Sequence, residues 1–314
     1  MAINGELAIV TGATGFLGRH LVDLLLRQGY RVLAITQPDD PLLPTLHKAA
    51  MHQSSDIRDV AALTRILLDT APARIFHLAG MARGSDLNQL LSINVMGTDC
   101  LLQAASKVAP PPSVVIPGSA AEYGLACEQQ PIDESALPRP TSAYGLSKLA
   151  QTLHALSYAW RGEVPVVVGR VFNVTGPGEP PSMVCGSIVA QIVAAERGEQ
   201  PPLLRLGNLS SMRDFIDVRD VAQALLALAI AGEPGQVYNV CTGVGHTVEQ
   251  IVSILLRLST ISIACESEPA RRRVWDIPVC VGNPGRLQKA TAWRPLIPVE
   301  KSLEDSLHWR RSIQ

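Results

Sequence analysis

The sequence lacks both a surplus of basic residues and a long apolar run. Lysine and arginine together number 27 and acidic residues number 28, so the formal net charge is -1. Without excess positive charge the chain has little to neutralise a phosphate backbone, and we expect no nucleic-acid partner. The longest apolar stretch, around residues 222–231, is well short of the ~20 residues that span a bilayer. We therefore expect no membrane partner either.

Cysteine motifs and a basic leader are also missing. The 6 cysteines show no C-x-x-C spacing, which excludes the common zinc and dithiol motifs and fits a reducing compartment. We accordingly predict no metal site. The N-terminal segment carries Glu6 and no basic cluster, so it indicates a first strand rather than a signal peptide. Together these features predict a cytoplasmic protein.

The residues that are present predict a large core. Apolar residues make up 47% of the 314-residue chain and charged residues 18%, which predicts a folded protein of about two domains at ~150 residues each. In the first half, short apolar runs alternate with segments of helical periodicity. This alternation predicts an α/β fold of the Rossmann type, a doubly wound parallel sheet with helices on both faces. The predicted strands are 7–11, 31–35, 74–79, 113–117 and 164–171, and the predicted helices are 16–28, 60–68, 87–107 and 142–161.

The character of the chain changes near residue 172, where proline and glycine become dense. We interpret the second half as a smaller C-terminal α/β domain that binds substrate over the carboxyl edge of the sheet. Its predicted helices are 183–197, 218–231, 248–258 and 302–311, with a strand at 236–241. The dinucleotide-binding domain is assigned to 1–171, rejoined by about 217–245, and the substrate-binding domain to 172–216 and 246–314.

Three glycines, Gly12, Gly15 and Gly18, join the first predicted strand to the first helix. Their G-x-x-G-x-x-G spacing differs from the G-x-G-x-x-G of ordinary dinucleotide folds, but the chemistry is shared. Glycine lets backbone N–H groups approach a pyrophosphate, and the helix N-terminus adds partial positive charge. The alternative is a plain tight turn. We predict that this loop binds a dinucleotide.

The end of the second strand bears on the choice between NAD and NADP. An NAD enzyme usually has an acid there to bind the ribose diol, but this strand ends in Thr36 and the first acid is Asp39. Arg19, beside the glycine loop, can either meet a 2′-phosphate or lie in solvent. These residues favour NADP, with NAD still possible. Further along, Asp56 with Ile57 indicates either an adenine contact or an N-cap for the next helix.

Tyr144 and Lys148 lie four residues apart at the start of a predicted helix, which puts both side chains on one face. An ammonium group near a phenol lowers the pKa of the phenol, so Tyr144 is predicted to exchange a proton with a substrate oxygen near neutral pH. Ser119 follows a predicted strand, at the carboxyl end where such sheets place their chemistry, and can hold the same oxygen. The alternative for Ser119 is a turn hydroxyl. The three residues form the predicted catalytic group.

These motifs resemble those of extended short-chain dehydrogenase/reductases that act on nucleotide sugars, and the resemblance runs through nearly the whole chain. In the first half it is carried by residues 11–18, 77–80, Asn94, Ser119 with Tyr123-Gly124, and Tyr144-x-x-x-Lys148. The second half is most similar to the reductases that form GDP-6-deoxy-D-mannose (GDP-D-rhamnose), through residues 170–178, 207–209, 213–220 and 237–243.

The resemblance implies a set of site residues. The implied catalytic residues are Ser119, Tyr144 and Lys148. The implied cofactor-binding residues are Gly12, Thr14, Gly15, Phe16, Leu17, Gly18, Thr36, Asp56, Ile57, Leu78, Ala79, Gly80, Asn94, Tyr144, Lys148 and Val171. The implied substrate-binding residues are Ser119, Ala120, Asn173, Arg213 and Arg273. Arg213 also suits this role physically, because a guanidinium fork fits a diphosphate; the alternative is an ion pair with Asp214 or Asp217.

The chain departs from the family pattern around the nucleotide pocket. Val274 and Trp275 replace a Pro-Ser pair that typically follows the residue matching Arg273. Ala190 stands where relatives often carry lysine or arginine. Because these departures affect the nucleotide pocket, the resemblance indicates the fold more firmly than the identity of the substrate's nucleotide base.

One absence separates reaction types within the family. Related 4,6-dehydratases carry acids two or three positions before the tyrosine that matches Tyr123, but here Ala120 and Ala121 stand there and Glu122 is one step off. We therefore expect an NADPH-dependent reductase of a 4-keto-6-deoxy sugar nucleotide. The alternatives are a 4-epimerase with tightly bound NAD and a non-catalytic NADP-binding sensor, which would not need the proton-transfer residues.

The helices predicted at 87–107 and 142–161 are expected to carry more apolar surface than one sheet can bury. Relatives pair through an intermolecular four-helix bundle, so the resemblance implies a homodimer. The alternative is that the second domain covers these helix faces.

Overall fold

The computed structural model describes residues 5–82, 86–128, 131–268 and 277–313. The strands that these residues form are β1 (Leu7–Thr11), β2 (Arg31–Thr36), β3 (Met51–Ser54), β4 (Arg74–His77), β5 (Ser113–Ser119), β6 (Val166–Val171), β7 (Asn173–Thr175), β8 (Leu203–Leu206), β9 (Met212–Asp217), β10 (Val237–Val240), β11 (Gly245–Thr247), β12 (Ala264–Ser267) and β13 (Val279–Cys280). The helices are α1 (Phe16–Arg27), α2 (Val60–Thr70), α3 (Leu87–Leu91), α4 (Gly97–Ala105), α5 (Ala143–Trp160), α6 (Val184–Glu196), α7 (Val218–Ala231), α8 (Val248–Leu258), α9 (Gly285–Thr291) and α10 (Val299–Ser312).

Seven of the strands form one sheet, in the order β3-β2-β1-β4-β5-β6-β10. Every pairing in this sheet is parallel. The order reverses beside β1, because the chain first runs outward to β3 and then returns to place β4 on the other side. In open α/β sheets the crevice at such a reversal, outside the carboxyl ends of the strands, is where ligands bind. The predicted α/β class is confirmed.

Helices cover both faces of this sheet. On one face α1 and α7 pack together around the buried side chains of Leu21, Leu25 and Leu225. On the other face α2, α4 and α5 pack around Leu63 and Leu101. Between the two layers β6 is buried at every position. Because both faces are covered, the central strands are continuous β-branched runs instead of alternating polar and apolar residues.

The rest of the chain builds two smaller sheets and another apolar cluster. β9 pairs with β7, β11 and β13 in a four-stranded sheet, and β8 pairs with β12. Helices α6, α8 and α10 pack together through Ile188, Ile192, Ile251 and Leu303. In contrast, β10 lies at the edge of the main sheet beside β6. The division into a dinucleotide-binding and a substrate-binding domain at the predicted boundaries remains our proposal.

In the first half β3 was not predicted, and one predicted helix and one predicted strand differ from those observed. The helix predicted at 87–107 is divided, because a π-helical turn at Ser92–Met96 separates α3 from α4. Asn94 is fully buried in that turn. β4 ends at His77 instead of at residue 79, because the next two backbone N–H groups donate to the carbonyl and the hydroxyl of Thr11.

None of the helices in the described ranges is long and apolar enough to cross a membrane. The same ranges contain no group of three or more histidine, cysteine or acidic side chains placed to hold a metal ion. Of the proline-interrupted basic segment at 271–278, only the last two residues lie within the described ranges.

Candidate active site

The ends of the parallel strands bring the predicted site residues to one edge of the main sheet. Thr11 at the end of β1 is in register with His77 at the end of β4. Ser119 at the end of β5 is in register with Val171 at the end of β6. The glycine loop follows β1, and the implied cofactor residues 78–80 follow β4. This edge therefore carries both the proposed cofactor residues and the proposed catalytic residues.

The glycine loop joins β1 to α1 under tight steric limits. Gly12 has φ of +66°, and a Cβ on it would lie 2.7 Å from the backbone nitrogen of Ala79. A Cβ on Gly18 would clash with the carbonyl oxygen of Gly12. α1 begins at Phe16 with Gly15 as its N-cap and no side-chain cap. The first backbone N–H groups of α1 are thus left to bind an anion, and the loop fits the diphosphate of a dinucleotide.

An acid reaches the glycine loop from beyond the second strand. The Thr14 hydroxyl donates to Oδ2 of Asp40 at 2.6 Å. Thr36, at the end of β2, is buried, and its hydroxyl lies 2.9 Å from Nε2 of His52. Asp39 is the first acid after β2 in the sequence. In the structure it is the next acid, Asp40, that reaches the glycine loop. The proposed adenosine end of the site therefore includes a carboxylate that strand position alone did not predict.

Asp56 and Ile57 follow β3 at the same edge of the sheet. The Asp56 carboxylate pairs with Arg58 at 2.7 Å, and hydrogen bonds from Arg58 lower the pKa of Asp56. The N-cap of α2 is Asp59, which accepts a backbone N–H of the first turn, so the alternative that Asp56 caps this helix is wrong. A Cβ on Gly97 would lie 2.8 Å from the Ile57 side chain, which shows how closely Ile57 packs on α4.

The Arg19 side chain lies close to Gly178. A Cβ on Gly178 would lie 3.1 Å from a guanidinium nitrogen of Arg19, and His20 contacts the carbonyl oxygen of Pro177 at 2.8 Å. The side chains of Arg19 and His20, which both belong to α1, therefore face the loop that follows β7. Burial lowers the pKa of Arg19, as expected for a guanidinium packed against protein. The structure gives no support to a 2′-phosphate contact by Arg19.

Ser119, Tyr144 and Lys148 come together where β5 ends and α5 begins. The Tyr144 phenol lies close enough to Ser119 for the serine to influence its pKa. Lys148 lies one helical turn further along α5 and is buried. Gly145 packs so closely on the carbonyl oxygen of Ala121 that a Cβ would not fit. This glycine lets α5 approach the turn after β5 and so sets the phenol against the serine.

The protonation of this group differs from the sequence-based prediction. Nζ of Lys148 donates to the Pro117 carbonyl oxygen at 2.7 Å and to Oε1 of Gln151, and burial lowers the pKa of Lys148 to about 8. Burial raises the pKa of Tyr144, although the neighbouring Ser119 side chain opposes the rise. The prediction that Lys148 lowers this pKa is therefore wrong. The phenol is protonated at neutral pH and is suited to donate its proton.

A buried polar network behind Lys148 was missed by the sequence reasoning. Nε2 of Gln151 donates to the Thr98 hydroxyl at 2.7 Å, and that oxygen lies 3.0 Å from Nε2 of His77. Nδ1 of His77 lies 2.8 Å from the Thr11 hydroxyl. Burial lowers the pKa of His77 to about 3, and the charge of Lys148 adds to that effect, so the imidazole is neutral. The network connects the proposed catalytic lysine to the residue that begins the glycine loop.

Asn94 joins the loop after β4 to α5. Its Oδ1 accepts the Met81 N–H at 2.7 Å, and its Nδ2 donates to the Met81 carbonyl oxygen at 3.1 Å and to the Ser147 hydroxyl at 3.0 Å. A Cβ on Gly80 would lie 3.1 Å from Oδ1 of Asn94. Asn94 thereby holds Met81, the residue that follows Gly80, next to the helix that bears Lys148. π-Helical turns such as the one around Asn94 often mark functional sites.

The predicted substrate residues that the structure describes lie on several elements. Ala120 follows Ser119 and is buried, and Asn173 begins β7 just after β6 ends. Arg213 is in β9, and its NH1 donates to the Met212 carbonyl oxygen at 2.8 Å. Arg273 and the two residues after it lie outside the described residues. The structure therefore describes four of the five predicted substrate contacts.

The acids next to Arg213 have other partners. Asp214 accepts the backbone N–H groups of Thr242 and Gly243, both at 2.8 Å. Asp217 pairs with Arg219 at 2.8 Å. An ion pair between Arg213 and either acid would therefore compete with the hydrogen bonds of Asp214 and with the Asp217–Arg219 pair.

A cavity of about 340 Å³ lies beside α6, where Ala190 precedes Gln191. This volume is in the range of sites that bind small organic groups. It is lined by Gln191, Gln200, Pro201, Leu203 and Arg205.

The carboxylate of Glu122 is turned into the protein. Its Oε2 accepts Nε of Arg170 at 2.7 Å, and the Glu122 side chain has no exposed surface. The two preceding residues are Ala120 and Ala121. The structure therefore supports the expectation that no acid stands where the related dehydratases use one.

Three comparisons place the chain among known proteins. Residues 8–241 match the model of the NAD dependent epimerase/dehydratase family. The GDP-6-deoxy-D-mannose reductase of Pseudomonas aeruginosa is 33% identical over 311 residues, covering 97% of each chain. The structure of RMD from Pseudomonas aeruginosa complexed with NADPH superposes with a TM-score of 0.84 at 29% identity, covering 98% of this chain and 99% of that one. The UDP-glucose 4-epimerase of Thermus thermophilus in complex with NAD gives a TM-score of 0.87 at 25% identity, with coverage of 98% and 99%.

Proposed function

The chain belongs to the NAD-dependent epimerase/dehydratase family, and from that premise we propose that it reduces the 4-keto group of a nucleoside-diphospho-4-keto-6-deoxyhexose with NADPH. It is an NAD(P)-dependent oxidoreductase. One observation carries the proposal: the close packing of α5 on the turn after β5 places Tyr144 beside Ser119, with buried Lys148 one helical turn away, at the sheet edge that bears the glycine loop. A proton donor thus lies where a reducing cofactor and a carbonyl group can meet.

The cofactor is proposed to lie along the carboxyl edge of the main sheet. The backbone of the glycine loop binds its diphosphate, because the uncapped N-terminus of α1 presents free N–H groups there. The proposed contacts are Gly12, Thr14, Gly15, Phe16, Leu17 and Gly18 for the diphosphate, Thr36, Asp56 and Ile57 for the adenosine, and Leu78, Ala79, Gly80, Asn94, Tyr144, Lys148 and Val171 for the nicotinamide half.

The chain's own residues move the proton in this reaction. NADPH, when bound, would supply the hydride that C4 of the sugar accepts. Tyr144 donates its hydroxyl proton to the oxygen on C4, which completes the reduction of the carbonyl to a hydroxyl. Ser119 hydrogen-bonds the same oxygen, and Lys148 holds the nicotinamide ribose. Solvent then returns a proton to Tyr144.

The proposed substrate is GDP-4-keto-6-deoxy-D-mannose, which would give GDP-6-deoxy-D-mannose. Support comes from the similarity to a GDP-6-deoxy-D-mannose reductase along nearly the whole chain. Arg213 and Arg273 are proposed to bind the diphosphate, since a planar guanidinium matches it bidentately. Ala120 and Asn173 are proposed to contact the sugar. The cavity beside Gln191 is the proposed place for the base.

A 4-epimerase is the second candidate, because the fold matches that of the Thermus thermophilus epimerase as closely as that of the reductase. The same tyrosine would then take a proton from the sugar and return it, with NAD bound throughout. A dehydratase is not proposed, because Glu122 faces Arg170 inside the protein.

We further propose a cytoplasmic homodimer. The scattered cysteines fit a reducing compartment. The proposed dimer face is on α5, where Leu146 and Leu153 are exposed.

Purified protein incubated with NADPH and a panel of GDP- and dTDP-linked 4-keto-6-deoxy sugars tests the proposal. We expect NADPH to be oxidised in step with a new 4-hydroxyl in the NMR spectrum of the GDP-linked sugar. The Tyr144→Phe variant, run in parallel, should bind NADPH and form little product. In a parallel incubation with 4-hydroxy sugar nucleotides, inversion at C4 without net NADPH consumption, by protein that retains its dinucleotide through gel filtration, would identify the epimerase instead. No NADPH oxidation with any 4-keto sugar would overturn the proposed reduction.

A further inference from the structure

Glu122 is an acid that the proposed mechanism does not use, yet its carboxylate ties together three elements around the proposed catalytic group. Oε1 accepts the backbone N–H of Ser119 at 2.7 Å and the hydroxyl of Thr152 at 3.2 Å. Oε2 accepts Nε of Arg170 at 2.7 Å. Ser119 ends β5, Thr152 lies on α5 and Arg170 lies on β6. A single side chain therefore connects the strand, the helix and the neighbouring strand that form the site.

The ion pair between Glu122 and Arg170 is buried on both sides. Removing two charges from water is seldom offset by their attraction alone, and an apolar pair of similar volume often folds at least as well. Stability alone is therefore a weak reason for placing these charges here. The contacts of the carboxylate with the catalytic elements offer a functional reason.

Glu122 holds Ser119 by closing a short turn. Ser119 is the N-cap of the 3-10 turn that follows β5, and its hydroxyl accepts the Ala121 N–H at 3.2 Å while Glu122 accepts the Ser119 N–H. Such a reciprocal cap fixes both the backbone and the side-chain oxygen of the serine. A Cβ on Gly118 would lie 2.5 Å from Oε1 of Glu122. The strand before the serine is thus shaped to admit this carboxylate.

We propose that Glu122 is a positioning residue of the reduction. It fixes the Ser119 hydroxyl next to Tyr144 and places a buried negative charge near the proton donor. Arg170 stabilises that charge by forming an ion pair with it. The inference rests on the proposed function in taking Tyr144 as the donor. Glu122 itself touches neither substrate nor cofactor in this role.

The negative charge acts on both titratable groups of α5. Burial is the main cause that raises the pKa of Tyr144, and the charge of Glu122 raises it further. Burial lowers the pKa of Lys148 to about 8, and the charge of Glu122 opposes that lowering. The proposed reaction needs a protonated tyrosine and a charged lysine. Loss of the Glu122 charge should therefore move the loss of activity at high pH to a lower pH.

The other titratable groups around Glu122 leave this expectation unchanged. Arg170 faces it from β6 and stays charged, since its pKa is raised. Tyr123, on the same turn, has a pKa that burial raises, so it is neutral. His77 of β4 lies behind Lys148 and is neutral, because burial lowers its pKa to about 3.

Three variants separate the charge of Glu122 from its position. Glu122→Gln keeps the length and an acceptor for Ser119 but has no charge, so the alkaline limb of the kcat profile should move to lower pH. Glu122→Asp keeps the charge but is too short to reach both Ser119 and Arg170. Its kcat should fall about tenfold, because small misplacements are costly, with no shift of the alkaline limb to lower pH. The double variant Glu122→Gln with Arg170→Gln removes both buried charges, and it replaces the single variant if that one does not fold.

Glu134 provides a matched control. It is also a buried glutamate paired with an arginine, Arg286, at 3.5 Å. It also accepts a backbone N–H, from Asn239 at 2.7 Å. Glu134→Gln therefore removes the same charge from a similar environment, and we expect it to alter stability without moving the pH profile.

NMR titration of Lys148 makes the test independent of the sugar substrate. The chain has five lysines, so ε-13C-lysine labelling, assigned with Lys148→Met, resolves its signal. We expect the pKa of Lys148 to be lower in Glu122→Gln than in the wild type and unchanged in Glu134→Gln. If Glu122→Gln changes neither the pKa of Lys148 nor the pH dependence of kcat, and Glu122→Asp has the kcat of the wild type, the inference is overturned. If the titration moves but the wild type reduces no 4-keto sugar, the proposed function fails and the electrostatic role of Glu122 stands.

Discussion

Tyr144→Phe removes a single oxygen from the proposed site and leaves the packing of the ring almost unchanged. We expect kcat to fall 10²–10⁴-fold, roughly 3–5 kcal/mol, because the lost interaction develops as charge builds on the substrate oxygen. Affinity for NADPH and for the sugar nucleotide should be retained. Single-turnover kinetics at saturating NADPH provide the measurement. A variant that keeps most of its turnover, with chemistry shown to be rate-limiting, would remove Tyr144 from the mechanism.

Two neighbouring substitutions serve as controls for that experiment. Lys148→Met should depress turnover and also weaken NADPH binding, since the lysine is proposed to contact the cofactor ribose. Ser119→Ala should be milder than either, because it removes one hydrogen bond to an oxygen that Tyr144 still protonates. A larger loss in Ser119→Ala than in Tyr144→Phe would reverse the proposed roles.

Asp40 bears on the choice of cofactor. We expect the wild type to bind NADPH at least as tightly as NADH, because β2 ends in Thr36 and not in an acid. The Asp40 carboxylate nevertheless accepts the Thr14 hydroxyl of the glycine loop at 2.6 Å, where it would repel a 2′-phosphate. Asp40→Asn should therefore increase the preference for NADPH about threefold, or ~0.7 kcal/mol. Fluorescence titration with both cofactors measures it. Asp39→Asn, at an exposed neighbour, is the matched control, and an equal effect there would contradict the explanation.

Glu179 should make stability depend on pH. Burial raises its pKa to about 7 from the ordinary 4.5. Because the folded-state pKa is raised, the stabilisation is complete below the unfolded-state pKa and is lost as the pH rises through about 7. The wild type should therefore lose up to about 3 kcal/mol relative to Glu179→Gln between pH ~4.5 and pH ~8. Urea unfolding at both pH values provides the test, with exposed Glu199→Gln as control. A difference that does not change with pH would contradict it.

At the residue scale, the sequence revealed contacts between residues that lie close together in the chain. Tyr144 and Lys148 share a helix face, so their proximity is visible in the sequence. The link from His77 to Thr98 and Gln151 is different, because its members come from three elements whose relative positions depend on packing. Only Gln151, three residues after Lys148, offered a local signal.

Gly145→Ala tests how α5 reaches the turn after β5. Alanine is the better helix former, so helix propensity alone predicts a gain of up to about 1 kcal/mol. The carbonyl oxygen of Ala121 leaves no room for a Cβ at this position, and overpacking of this kind typically costs about 1–3 kcal/mol. We expect lower stability and, because Tyr144 shifts away from Ser119, at least tenfold lower kcat. Urea unfolding and steady-state kinetics measure both effects. Increased stability with full activity would show that α5 does not need this close approach.

At the element scale, most strands and helices followed from periodicity, and the π-helical turn did not. The apolar spacing over 87–107 is continuous, so it predicts one helix. In the structure Asn94 must reach both Met81 and Ser147, and the helix widens at Ser92–Met96 to place it there. That requirement comes from the partners of Asn94, which local periodicity cannot show.

At the scale of the whole molecule, strand–helix alternation was enough to predict the parallel sheet but not where the chain returns to it. β10 pairs with β6 although more than sixty residues, including a separate sheet, lie between them. Pairing across such a distance depends on which edge of the sheet remains open after β6. Neither composition nor periodicity contains that information.

The proposed homodimer is the prediction that concerns the whole molecule. Leu146 and Leu153 lie two turns apart on α5 and are 45% and 51% exposed, and Met96 on the preceding π-helical turn is 52% exposed. The second domain therefore leaves these side chains uncovered, contrary to the alternative. A twofold pairing of α5 and its neighbouring helix would bury them against their copies. Sedimentation at micromolar concentration should show a dimer, and Leu153→Lys should shift it to monomer. Leu296→Lys, at a side chain 80% exposed elsewhere, should leave the dimer intact. If the wild type sediments only as a monomer, the proposed homodimer is wrong.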